Sequence, residues 1–125
     1  ALDEVLRVEP PVAQCLRTAP EDMEVNGQCI AKGETIHLSL FGAHYDPALN
    51  DNPQSFDIGR EEITHFAFGG GAHYCLGAQL GLAQGRIALP MLFDRFPNLA
   101  FSDTHELKHK IAPAFNGYGE IWLTK

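Results

Sequence analysis

The sequence predicts an α+β chain: a short helix, a small β-sheet, a long irregular coil, a glycine-rich turn leading into a long helix, and a tail of β-hairpins. Three observations carry this. Asn26-Gly27 separates two short runs, the strongest two-residue hairpin signal, because both central residues of a type I′ turn need positive φ. Turn formers crowd residues 45–62. Gly69, Gly70 and Gly71 precede a stretch whose apolar residues recur at helical spacing. At 125 residues the chain is one domain or part of one.

In chain order, Leu2, Val5, Leu6 and Val8 follow roughly helical spacing until Pro10-Pro11 stops the run, so residues 1–9 read as the last turns of a helix. Residues 23–30 form the hairpin, and residues 31–34 make a second turn. Thr35 to Phe41 then alternates as a half-buried strand, with Ile36, Leu38 and Leu40 on one side. Pro47, Pro53, Asp46, Asn50, Asp51, Asn52, Asp57 and Gly59 keep residues 45–62 irregular. The second helix runs from Leu76 through Leu80, Leu82, Ala83, Ile87 and Leu89. Gly81 and Gly85 inside it each cost about 1 kcal/mol relative to Ala unless something approaches the backbone closely. Pro90 is expected to end or kink this helix, with residues 91–96 as a continuation before Pro97. The tail from Leu107 to Leu123, broken by Pro113, Gly117 and Gly119, reads as β-hairpin material. Phe93, Phe96 and Phe101 are assigned to the core.

Hydrophobic residues at 45% and charged residues at 20% exclude disorder. The formal charge of −7 argues against a partner made of nucleic acid and against polybasic membrane binding. The acidity is uneven: residues 1–62 hold 12 acids and 4 bases, residues 63–125 hold 4 acids and 5 bases. An anionic ligand is therefore expected in the second half. Cys15, Cys29 and Cys75 lack the paired spacing of a zinc ribbon or redox motif, which suits a reducing, cytoplasmic compartment. No apolar run is long enough to span a bilayer. The first residue is Ala, so upstream sequence and an N-terminal anchor both stay open.

The stretch Phe68-Gly69-Gly70-Gly71-Ala72-His73-Tyr74-Cys75-Leu76-Gly77 carries the chemistry. A dinucleotide fingerprint would need a third glycine where Tyr74 stands, and a P-loop would need Gly-Lys-Ser/Thr. What remains is a cysteine just before a helix, where unpaired N–H groups and the macrodipole favour a thiolate. Such a thiolate is a nucleophile or a metal ligand. His73, at i−2, is poorly placed as a base, and zinc would need three further soft ligands. Haem iron needs only one protein thiolate, because the porphyrin fills its equatorial positions. The bland alternative is a buried free thiol, which is the reading for Cys15 and Cys29. His37, His44, His65, His105 and His109 have no partner at ligand spacing and are read as structural or exposed.

The ten-residue string resembles, position for position, the haem-binding loop of the cytochrome P-450 family, the haem-thiolate monooxygenases. Glu4-Val5-Leu6-Arg7 is similar to the family's E-x-x-R helix, while Asp46-Pro47 and Phe56-Asp57-Ile58-Gly59-Arg60 fall where the family has its meander. The order and separations resemble the soluble bacterial members. The resemblance implies that residues 1–125 are the C-terminal part of one P-450 domain, mainly α when complete, with the distal oxygen-activating helix upstream of Ala1.

It further implies Cys75 as the proximal ligand of haem b iron, its charge favouring O–O cleavage. Phe68 would pack beside the sulfur and, with backbone N–H groups of the cofactor-binding glycine loop that starts at Gly69, tune its potential. Gly71 and Gly77 would let backbone approach sulfur and porphyrin, and His73 and Arg17 would meet the propionates. Glu4 and Arg7 would form a structural ion pair completed by an arginine of the meander. Many relatives carry that arginine just before the meander Phe. Here the position is Ser55, and Arg60 is the replacement. The implied reaction inserts one atom of O2 into a small organic substrate, on two electrons from NAD(P)H passed through a reductase and a ferredoxin or flavodoxin-type carrier. With Leu82 uncharged, Arg86 is left on the second helix to dock that carrier. The alternative is a truncated, catalytically inactive haem-binding fragment.

Overall fold

The computed structural model describes residues 1–110, 112 and 114–125. Helix α1 (Leu2–Val8) is followed by strands β1 (Gln14–Thr18), β2 (Met23–Val25), β3 (Gln28–Ile30) and β4 (Thr35–Ser39), then helix α2 (Leu40–His44). A long coil leads to a 3-10 turn at Gly71–His73, helix α3 (Ala78–Arg95), and strands β5 (Ala100–Phe101) and β6 (Leu123–Thr124).

In place of the one small sheet expected, the strands among the described residues form three separate two-stranded antiparallel sheets. β1 lies against β4 with Gln14 opposite Ser39 and Thr18 opposite Thr35, β2 and β3 close the hairpin, and β5 pairs with β6. Asn26 and Gly27 take φ of 51° and 80°, as the type I′ turn demands. In the tail, an isolated bridge joins His109 to Tyr118, and Lys110 N–H donates to Gly117 O. The break assigned to Pro113 lies outside the described residues.

Further expectations need correction. The strand placed at 35–41 stops at Ser39, because the Ser39 hydroxyl accepts from Gly42 N–H at 2.9 Å and caps α2. The apolar alternation that ran on to Leu40 is the first residue of that helix. By contrast, the continuation expected after Pro90 is present, α3 running on to Arg95 with one backbone hydrogen bond forgone. Strands β1 and β5 fall where no strand is expected, since Gln14–Thr18 shows no clean alternation and Ala100–Phe101 is only two residues long. Phe93 and Phe101 are exposed and Phe96 half-buried, so none is core; Cys29 is exposed and Cys15 half-buried.

The buried centre is polar. Among the described residues, Glu4, Arg7, His44 and Asn50 are buried together with Pro10, while the buried hydrophobic residues are only Ala19, Ala67 and Ala78. A compact monomer of 13.7 kDa exposes about 6,600 Å². This chain exposes 9559 Å². The excess is apolar in character on α3, where Leu80, Ile87, Met91 and Phe93 face solvent. Two glycines set how closely α3 is approached. A Cβ on Gly81 would sit 3.7 Å from the Phe68 ring, and one on Gly85 would meet Leu2 Cδ2 of α1 at 2.9 Å.

Candidate functional site

Glu4 and Arg7 are one helical turn apart on α1, and both side chains are fully buried. Arg7 Nε donates to Glu4 Oε2 and Arg7 Nη2 to Glu4 Oε1, each at 2.8 Å, the bidentate fork that suits a carboxylate. The remaining guanidinium protons go to backbone carbonyls: Nη1 to Pro53 at 2.8 Å and His44 at 3.3 Å, Nη2 to Ser55 at 2.9 Å. All five donors are thus engaged. Glu4 Oε1 also accepts from Asp57 N–H at 2.9 Å. The carboxyl is held down from the ordinary 4.5 to about 2, first by the Arg7 hydrogen bonds, against the opposing cost of burial.

Arg60 approaches from the meander. Its Nε lies 3.5 Å from Glu4 Oε2, buried and without a hydrogen-bond partner, while its Nη atoms donate to the carbonyls of Asp51, Asn52 and Ser55. Ser55 contributes through its carbonyl, which accepts from both arginines, so the absent side chain is bypassed by backbone. The structure brings Glu4, Arg7 and Arg60 into one cluster.

Cys75 stands three residues before α3, an exposed free thiol. Its N–H donates to Phe68 O at 2.8 Å and its carbonyl accepts from Ala78 N–H at 3.2 Å, so both ends of the residue are tied. Gly69 and Gly71 take φ of 71° and 59°, the left-handed region that a β-carbon disfavours. At Gly69 a Cβ would also press on His73 O at 3.3 Å, and at Gly77 it would lie 3.9 Å from Cys75 Sγ. Phe68, Gly69, His73, Cys75 and Gly77 therefore share one tight loop. His73 is exposed at the end of the 3-10 turn. Arg17 is exposed on β1 and donates to Leu16 O at 2.8 Å; among the described residues it shares no hydrogen bond with the loop.

Sequence reasoning missed the weight of His44 and Asn50. His44 Nδ1 lies 2.8 Å from Arg7 O, and Phe66 N–H donates to His44 Nε2 at 2.6 Å. Asn50 pairs with the Thr64 backbone in both directions, at 2.9 and 3.0 Å. A signal existed only at Asn50, inside a run of turn residues.

The donor set bears on what this loop can hold. Among the described residues no group of three His, Cys, Asp or Glu side chains gathers to hold a metal ion. A lone exposed thiol flanked by glycines fits a metal whose other ligands arrive with its own macrocycle.

The Cytochrome P450 family model matches residues 1–115. The chain belongs to the cytochrome P450 family. It is 41% identical over 122 residues to 2-hydroxy-5-methyl-1-naphthoate 7-hydroxylase of Streptomyces carzinostaticus, covering 95% of this chain and 30% of that protein. It is 40% identical over 124 residues to the biotin biosynthesis cytochrome P450 of Bacillus subtilis, covering 99% of this chain and 31% of that protein. The crystal structure of CYP109E1 from Bacillus megaterium in complex with testosterone superposes with a TM-score of 0.92 at 34% identity, over 98% of this chain and 34% of that chain. The chain thus spans about a third of the length of the P450 relatives it matches. Its elements are a portion of the P450 fold, and haem is the cofactor that the family implies. Among the described residues, no helix is long and apolar enough to cross a membrane.

Proposed function

We propose that this chain supplies the proximal haem site of a haem-thiolate monooxygenase, with Cys75 as the axial ligand of haem b iron and residues 1–125 corresponding to the C-terminal part of a single P450 domain. The observation that carries the reading is Cys75, an exposed free thiol whose backbone is pinned to Phe68 O at the entrance of a long helix. When bound, the haem supplies the oxygen chemistry, placing one atom of O2 in a small organic substrate and releasing the other as water, on electrons from NAD(P)H through a reductase and a ferredoxin or flavodoxin-type carrier.

The chain's own residues set the conditions for that chemistry. Cys75 would bring the thiolate, on a backbone tied at both ends three residues before α3. Phe68 shields the loop on the α3 side, where Gly81 admits its ring. Gly77 keeps a β-carbon away from the sulfur, and Gly69 and Gly71 supply the left-handed turns that shape the loop. His73 and Arg17, both exposed, are assigned to the two propionates, for which a guanidinium fork and an imidazole N–H are suitable donors. The three cysteines are free, which suits a reducing compartment such as the cytoplasm.

The test is reconstitution of the chain with hemin. The reduced carbon-monoxide adduct should show the red-shifted Soret band of a thiolate ligand, and Cys75→Ala should lose that band while haem stays bound. An unshifted band in the unsubstituted chain, or a shifted one in Cys75→Ala, sinks the assignment. The 9559 Å² of exposed surface favours a second reading for the 125 residues taken alone, a fragment that binds haem without turnover. That reading predicts the shifted band with no substrate-dependent NAD(P)H oxidation when carrier and reductase are added.

A further inference from the structure

The polar centre and the sulfur-bearing loop are joined by one side chain. His44 is fully buried at the end of α2, and its imidazole bridges Arg7 O on α1 and the N–H of Phe66, two residues before Phe68. The two partners leave no choice of tautomer. A backbone carbonyl only accepts, so Nδ1 carries the proton; a backbone N–H only donates, so Nε2 offers its lone pair. A protonated ring would set two N–H groups against each other at 2.6 Å.

What the bridge holds is the start of the loop. Phe66 O accepts from Gly69 N–H at 2.7 Å, and Phe68 O accepts from Cys75 N–H at 2.8 Å. The Phe66 peptide is therefore fixed on one side by His44 and on the other by the loop's own first turn. The His44 and Phe66 rings also stack, 6.2 Å apart and 17° from parallel. On the other side, the His44 carbonyl accepts from Arg7 Nη1 and from Asn50 Nδ2. Every strut from His44 thus ends either in the Glu4–Arg7 cluster, in the Asn50 clasp or in the loop.

We propose that His44, as a neutral Nδ1–H imidazole, is a positioning residue that clamps the Cys75 loop to the buried Glu4–Arg7 pair. The consequence at the haem rests on the haem-thiolate reading above; the clamp itself does not. The titratable and charged groups around the ring are Arg7 and Glu4 on α1, Tyr45 beside it, and His65, whose ring centroid lies 6.1 Å away and whose Nε2 pairs with Asp3 at 3.7 Å. Burial, then the neighbouring His65 and Arg7 charges, push the His44 pKa below the usual histidine range, against the Arg7 carbonyl, which pulls it up. The clamp should therefore hold at neutral pH and open on acidification below that range.

The experiment has a haem-free and a haem-loaded arm, both on the 125-residue chain. In the haem-free chain, nitrogen-15 NMR should find His44 neutral and protonated at Nδ1, and a protonated ring or an Nε2–H tautomer at neutral pH overturns the proposal. Amide exchange at Phe66 and Cys75 should speed up by about tenfold or more in His44→Ala, the effect of leaving one buried donor unpaired. Exchange in the 23–30 hairpin should stay unchanged, which reports that the variant is folded. Unchanged exchange at Phe66 in a folded variant also overturns the proposal. If His44→Ala does not fold, the tautomer and the acid-induced loss of Phe66 protection in the unsubstituted chain still decide. In the haem-loaded arm, His44→Ala should bind haem with the red-shifted carbon-monoxide band largely replaced by an unshifted one. Retention of the full shifted band refutes the positioning role. Absence of the band from the unsubstituted chain instead refutes the thiolate reading and leaves the haem-free arm to judge the clamp.

Discussion

Replacing Glu4 by Gln probes the buried cluster with little change of shape. The carboxylate takes Arg7 Nε, Arg7 Nη2 and Asp57 N–H, with Arg60 Nε 3.5 Å away. An amide in its place presents its own N–H groups to at least one of these donors and leaves two guanidinium groups without a counter-charge. Lowering the carboxyl from 4.5 to about 2 corresponds to about 3 kcal/mol of stabilisation. Breaking buried pairs by removing one partner costs about 3–5 kcal/mol, which agrees. Because the folded-state value is depressed, the contribution is complete above pH 4.5 and drains away as pH falls through about 2. Urea denaturation followed by circular dichroism should therefore show Glu4→Gln unfolding at lower urea by about 1–3 M at pH 7. The gap should narrow as both proteins are taken toward pH 2, where Glu4 is itself becoming neutral. Coincident midpoints at pH 7 would refute the reasoning, and so would a gap that is independent of pH. If Glu4→Gln does not fold, Arg60→Gln, which removes only the longest contact, should show the same pH trend at smaller amplitude.

Three substitutions test packing and capping by thermal or urea unfolding. Gly81→Ala should stabilise by about 0.5–1 kcal/mol, since its Cβ meets the Phe68 ring at an ordinary 3.7 Å and the helix gains a better former. Gly85→Ala should fall short of Gly81→Ala by about 1 kcal/mol, because its Cβ would have to displace Leu2 from 2.9 Å; equal effects would show that α1 and α3 are not in contact there. Ser39→Ala should cost about 1 kcal/mol through loss of the α2 cap, measurable as a lower unfolding midpoint.

The parts legible in the sequence are those governed by local rules. Pro10 bounds α1, Asn26-Gly27 makes the hairpin turn, and the apolar period finds α3, because each depends on a few adjacent residues. Helix α2 was hidden because a period of two and the first turn of a helix agree at Leu38 and Leu40, so only the Ser39 cap separates them. The cluster around Arg7 was legible as a pair and not as a hub. Its other acceptors are the carbonyls of residues 44, 53 and 55, and a backbone carbonyl leaves no mark on the sequence. His44 was invisible for the same reason: both of its ring partners are backbone atoms, on residues 7 and 66. Phe93 is exposed because apolar spacing reports a face that needs covering, and this chain leaves that face of α3 to solvent, while Phe101 is exposed on the two-residue strand β5.

The location of Cys75 is therefore set by polar contacts more than by apolar burial. Among the described residues the buried hydrophobic side chains are three alanines, each too small to contribute more than about 1 kcal/mol. The loop is instead referred to α1 through His44, and α1 to the meander through Arg7, by short hydrogen bonds that are buried or part-buried. Such an arrangement gains little net stability per contact but tolerates few alternative geometries, because any other register strands a charge or a buried N–H. Acid should attack it in two stages. His44 gains its proton first, below the ordinary histidine range, and frees the loop while the Glu4–Arg7 pair still holds. Glu4 follows only toward pH 2, when α1 itself loses its anchor. Between the two stages the sulfur should be mobile on an otherwise folded frame. Amide protection at Phe66 and Cys75 measured against that of the hairpin over the same pH range distinguishes this from a single cooperative collapse, in which both signals would move together.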